Sequence, residues 1–199
     1  MDSVDILRAR YRKMLFDTGN WFDLTRRLVY ATTAATKEAA REYDVGVAIA
    51  NDGVLQGYLA ETFGLRTFNV KMSRFGKGAT WVPLDKIEKQ DINGKKVIVF
   101  DVDVVTGRTL KRAARELCAF NPTGLDLLLT RQEVTLSKEE YQDWRRVFTK
   151  KPVLEERGDS YVLDCKTMVP SEFQKVKTIH TYDSQDPLAY MEFCDLVKR

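Results

Sequence analysis

Little in this chain belongs to the chemistry of nucleophilic or metal-centred enzymes. There is a single histidine, His180, with no acid or cysteine at useful spacing, and this predicts a structural side chain rather than a catalytic one. The three cysteines, Cys118, Cys165 and Cys194, lack metal-ligand spacing and lie in apolar settings, so buried free thiols in a reducing compartment are expected. A net charge of +3 is too small to draw the chain to nucleic acid, and local basic clusters carry more information. The opening MDSVDILRARYRK is charged where a secretion signal would be apolar, and no later run is long enough to span a bilayer. The expectation is a cytoplasmic protein without membrane association. Neither an internal repeat nor a low-complexity segment is present.

What is present suits one α/β domain. The 199 residues, 44% hydrophobic and 31% charged, are enough for a substantial core. The most informative stretch is Val97–Leu110, VIVFDVDVVTGRTL. Val97, Ile98, Val99 and Phe100 form a continuous apolar run, as a strand buried on both faces of a parallel sheet requires. The run ends in Asp101 and Asp103, which would share one side of an extended strand. Thr106-Gly107-Arg108-Thr109 follows, then a helical pattern through Leu110, Ala113, Ala114, Leu117 and Cys118. A helix start after a small hydroxyl-rich turn is a phosphate cradle. Its amides point outward unsatisfied, the dipole favours an anion, Gly107 permits close backbone approach, and Thr106 and Thr109 offer hydroxyls.

Upstream, Val4 to Leu15 has helical spacing with a basic outer face, Phe16 to Leu24 reads as a turn, and a long helix is predicted from about Thr25 to Tyr43. Val45 to Ile49 predicts a buried strand, Asn51-Asp52-Gly53 a turn, Leu55 to Phe63 a helix stopped by Gly64, and Thr67 to Val70 a second strand. Lys71, Arg74 and Lys77 follow in a glycine-containing segment that suits a mobile lid. Downstream, Leu125 to Thr130 reads as a strand, and Ser137 with Glu140 as a capping box opening a helix through Phe148. Tyr161 to Leu163 reads as a further strand, and Asp186-Pro187 as the start of a final helix.

The segment around Asp101 resembles the phosphoribosyl pyrophosphate (PRPP) motif of type I phosphoribosyltransferases: four apolar residues, two acids, two apolar residues, a variable position, then Thr-Gly-x-Thr. The family's acids are adjacent, whereas Val102 separates Asp101 from Asp103 here. The Thr18-Gly19 turn is faintly similar to a Ser-Gly hairpin of orotate phosphoribosyltransferases. The resemblance implies a central, mainly parallel sheet flanked by helices, with a core over 1–151 and a C-terminal extension over 152–199 contributing to a small hood. It implies transfer of the 5-phosphoribosyl group of PRPP to a small-molecule acceptor such as a nucleobase, with Mg2+ and release of pyrophosphate. By the same resemblance Val105, Thr106, Gly107, Arg108 and Thr109 cradle the 5′-phosphate. Asp101 and Asp103 serve the ribose and the metal, directly or through water. Asn51, Asp52, Gly53, Lys71 and Arg74 take the pyrophosphate, and Lys77 lies on the lid. Many relatives are dimers, so a homodimer is a further expectation. Catalysis in such a site is positioning and charge neutralisation, which fits a chain without a Cys/His or Ser/His pair. Trp21, Phe22, Phe173 and Tyr182 are equally base-stacking or core residues.

Two alternatives stay open. One is a domain that binds PRPP without turnover. The other is a haloacid dehalogenase-type phosphatase, whose D-x-D opening Asp101 and Asp103 match, with Thr130, Lys150 or Lys151, and Asp159 with Asp164 as its remaining groups.

Overall fold

The computed structural model describes residues 22–50, 53–73 and 80–179. Helix α1 (Phe22–Glu42) leads into β1 (Val45–Ala50), α2 (Val54–Thr62), β2 (Thr67–Ser73) and β3 (Thr80–Pro83). A single helical turn, α3 (Lys89–Ile92), precedes β4 (Lys96–Asp101), α4 (Arg108–Cys118) and β5 (Gly124–Leu129). Then come β6 (Glu133–Ser137), α5 (Lys138–Trp144), β7 (Leu154–Arg157), β8 (Ser160–Asp164), a 3-10 turn at Cys165–Met168, and β9 (Val176–Thr178).

Six strands form one sheet in the order β3-β2-β1-β4-β5-β9, parallel except for β3, and β6-β8-β7 form a separate antiparallel sheet. Strand alternation explains why the large sheet is covered on both faces. Val97 and Val99 of β4 cluster with Val45, Val47, Leu125 and Leu127, and with Leu110, Ala113, Ala114 and Leu117 of α4. Ile98 and Phe100 point the other way, to Ala48 and Leu128 with Ala39 of α1 and Ala60 of α2. All four apolar residues of β4 are fully buried, and each such side chain contributes about 1.5–3 kcal/mol. The fold is therefore α/β, a mainly parallel sheet between helices, as the sequence predicts.

Several local expectations shift. Lys71 lies within β2, because antiparallel pairing with β3 (Lys71 opposite Val82, Ser73 opposite Thr80) carries the strand past Val70. The turn predicted through Leu24 gives way at Phe22 to α1. The capping box is present: Ser137 Oγ accepts from the Glu140 amide at 3.0 Å, and Glu140 Oε2 accepts from the Ser137 amide at 2.8 Å. The helix it opens stops at Trp144, leaving that indole 37% exposed. Cys165 is buried but Cys118, expected inside, is exposed at the end of α4. The small sheet takes β6 from one side of residue 152 and β7 and β8 from the other, while β9 returns to the large sheet. The predicted helices at 4–16 and beyond Asp186, together with His180 and Cys194, lie outside the described residues. Among the described residues no helix is long and apolar enough to cross a membrane.

Candidate functional site

The chain runs from β1 through α2 to β2 on one side of β1, yet β4 enters on the other side. The strand order thus reverses between β1 and β4. In open α/β sheets such a reversal leaves a crevice beyond the carboxyl ends of the two strands, because their following connections diverge to opposite faces. Gly53, which precedes α2, and the loop 102–107 after β4 border it here.

Gly53 is required by space. Its amide donates to Ile49 O at 2.8 Å, and a Cβ at this position would stand 2.2 Å from Phe100 O and 2.9 Å from Ile49 O. Gly53 therefore rests directly on the end of β4. Lys71 stands beside Ala50 in the parallel register, exposed at the same edge. Asn51, Asp52, Arg74 and Lys77 lie outside the described residues.

Asp101 is the last residue of β4, and its Oδ1 accepts from the Val102 amide at 2.9 Å. The strand ends there, so Asp103 does not share a strand face with Asp101 as extended alternation would require. Instead Asp103 Oδ2 reaches Arg131 Nη1 at 3.8 Å, both side chains being partly exposed. Beyond the strand, Thr130 N donates to Asp101 O at 3.2 Å and Arg131 N to Val102 O at 2.8 Å, so the backbone pairing of β4 with β5 continues into the loop.

The rest of the loop packs on the C-terminal part of the chain. Val104 is buried and Val105 leans on the core. Thr106 O accepts from Thr149 Oγ1 at 3.4 Å. Gly107 has φ +68°, and a Cβ there would lie 2.3 Å from Met168 O. Its close approach is to a carbonyl of the 3-10 turn, where the sequence had suggested approach to a phosphate. Among the described residues none offers an acceptor to the amides of Thr106, Gly107, Arg108 or Thr109, and no side chain caps α4. Arg108 is exposed and Thr109 half-buried, so the positive end of the helix dipole is flanked by one cation and one hydroxyl. Cys165 sits beside this loop, its thiol pushed up to about 11 by burial and then by the charges of Asp103 and Asp164.

Two residues missed as a pair by the sequence reading join these segments. Gln56, only 2% exposed on α2, donates through Nε2 to the hydroxyl of buried Thr130 at the end of β5. Nothing in an amphipathic pattern marks a glutamine as buried. Phe173 is buried in the core cluster and so is not a stacking residue; Trp21 and Tyr182 lie outside the described residues, and Phe22 begins α1. Three of the phosphatase residues are engaged elsewhere: the Thr130 hydroxyl accepts from Gln56, Lys150 Nζ donates to Val169 O at 3.1 Å, and Asp164 Oδ1 accepts from the Lys166 amide at 2.9 Å, while Lys151 is exposed. Asp159 occupies the exposed turn between β7 and β8, 3.7 Å from Lys138 Nζ.

Among the described residues no group of three or more His, Cys, Asp or Glu is placed to hold a metal. An ion of the Mg2+ kind takes as few as one or two carboxylates and completes its shell with water and substrate phosphate oxygens, and Asp101 and Asp103 are the acids at the start of the loop 102–107.

No protein-family model matches the sequence, and no curated protein matches it. Solved structures do. The chain is similar to a purine phosphoribosyltransferase from Pyrococcus horikoshii, with 15% identity, a TM-score of 0.44, and 54% of this chain and 72% of the other covered. It is similar to a hypoxanthine-guanine phosphoribosyltransferase from Bacillus anthracis at 17% identity and a TM-score of 0.43, covering 52% and 65%. It is likewise similar to a hypoxanthine phosphoribosyltransferase from Staphylococcus aureus at 15% identity and a TM-score of 0.42, covering 52% of this chain and 61% of that one.

Proposed function

We propose that this chain binds PRPP at the carboxyl edge of β1 and β4 and transfers its phosphoribosyl group to a small acceptor, a nucleobase or a related compound. One observation carries the reading. The reversal in strand order brings Gly53 and an acid-flanked loop, whose amides at 106–109 meet no acceptor among the described residues, to one crevice. The amides of residues 106–109 would take the 5′-phosphate. Asp101 would orient the ribose hydroxyls, and the turn at 51–53 with Lys71 and Arg74 would take the diphosphate. Asp101 and Asp103 would hold Mg2+, which when bound supplies charge neutralisation for the leaving group. The bond from C1′ to the pyrophosphate oxygen breaks, a bond to the acceptor forms as the acceptor gives its proton to solvent, and the electron pair of the broken bond departs with pyrophosphate. No protein nucleophile takes part. The work of the chain is to hold the reacting groups in line and to receive charge.

A second reading, PRPP binding without turnover, is favoured by the pairing of Asp103 with Arg131, which turns the second acid toward a protein cation. Titration calorimetry with PRPP and Mg2+, followed by a pyrophosphate-release assay across nucleobases, tests both. Binding with release is the expected result, and binding without release supports the second reading. Absence of binding, with phosphatase activity in its place, contradicts both.

A further inference from the structure

We infer that Gln56 and Thr130 are positioning residues, a buried polar tie that fixes the Asp101–Val105 loop against the first turns of α2. The tie concerns the crevice of the proposed PRPP site, and its link to ligand binding rests on that reading. Its geometry does not.

Gln56 and Thr130 are 2% and 7% exposed, on the sheet face that α2 covers. A carboxamide there costs free energy unless its hydrogens find acceptors, and an apolar side chain of similar size would avoid the cost altogether. What the polar pair adds is direction. Gln56 Nε2 donates to Thr130 Oγ1, and the Thr130 amide donates to Asp101 O at 3.2 Å. The adjacent amide, Arg131 N, holds Val102 O at 2.8 Å, and the Arg131 side chain reaches Asp103. Three residues before Gln56, Gly53 rests on Phe100 O. Helix α2 thus meets the end of β4 twice, directly at Phe100 and through Thr130 at Asp101. The two connections that border the crevice are held at one spacing, and a ligand with phosphate groups at both ends needs that spacing constant.

The experiment uses the full chain and the variants Thr130→Val, Thr130→Ser, Gln56→Met and the Val/Met double variant. Hydrogen–deuterium exchange of peptides covering residues 101–106 is followed without ligand, and PRPP with Mg2+ is titrated by calorimetry. Thr130→Val and Gln56→Met should each speed exchange in the loop about tenfold and raise the PRPP Kd about tenfold. Thr130→Ser, which keeps the hydroxyl, should retain the protection. The double variant should fall short of the sum of the two single effects, because both remove the shared hydrogen bond. Unchanged exchange in both single variants, a serine variant as exposed as the valine one, or additive effects in the double variant would overturn the tie. Accelerated exchange as described in a chain that does not bind PRPP would leave the tie standing and overturn only the ligand reading.

Discussion

The large sheet and the small one are held together by different means. In β1, β4 and β5 nearly every side chain is buried, and two helical layers divide the odd from the even positions. In the small sheet β7 is exposed along most of its length, and its charged residues are held in surface ion pairs: Arg157 with Glu133 and Glu155, and Glu156 with Lys138, which also reaches Asp159. The first is apolar on both faces and has no room to spare; the second buries one face, through Leu136 and Leu163, and carries solvated pairs on the other. The candidate site belongs to the first, and the small sheet reaches it through the 3-10 turn that packs on Gly107.

The largest expected effect is on glycine. Gly53→Ala drives a methyl group into the Phe100 carbonyl and should cost about 3 kcal/mol in urea denaturation, whereas Gly158→Ala, in the open β7–β8 turn at φ +60°, should cost about 1 kcal/mol from backbone strain alone. Equal losses would mean that the two sheets are not differently packed.

Alkaline pH provides the next effect. The Cys165 thiol rises from 9.0 to about 11 in the folded chain. Below pH 9 it is protonated whether the chain is folded or not, so its contribution is fully present. Between pH 9 and 11 only the unfolded chain gives up the proton, so stability should fall by about 2 to 3 kcal/mol across this window, and Cys165→Ala should flatten the fall. Tyr43, raised by burial and then by its hydrogen bond to Asp126, adds a loss of the same sign above pH 10. Denaturant midpoints against pH check both.

Smaller effects belong to the small sheet. Ser137→Ala removes the cap of α5 and should cost about 1 kcal/mol, visible as faster amide exchange in Glu139 to Tyr141. Lys138→Ala breaks two exposed pairs and should change stability by less than about 0.5 kcal/mol.

The same contrast decides what could be read from the residues. The apolar runs at 45–49, 97–100 and 125–129 are visible because a doubly covered parallel strand has no solvent face, and the Ser137–Glu140 box is a local code. Strands β6 and β7 have no such run; Glu133–Ser137 alternates over only five residues and Leu154–Arg157 has a single apolar residue, so both are weak signals until their partners are known. In β2, pairing with β3 overrode the apparent end of the strand at Val70. At the site, the acids and the helix start were legible as chemistry along the chain. The Asp103–Arg131 pair, the Gln56–Thr130 tie and the Met168 carbonyl over Gly107 were not, since each joins residues at least 28 apart, which no periodicity encodes.

The most direct measurement is a crystal structure of the full chain grown with PRPP and Mg2+. The expected result places the 5′-phosphate on the amides of residues 106–109, the ribose beside Asp101, and the diphosphate at the turn after β1. Ligand bound anywhere else, with the edge between β1 and β4 filled by the chain's own side chains, would contradict it.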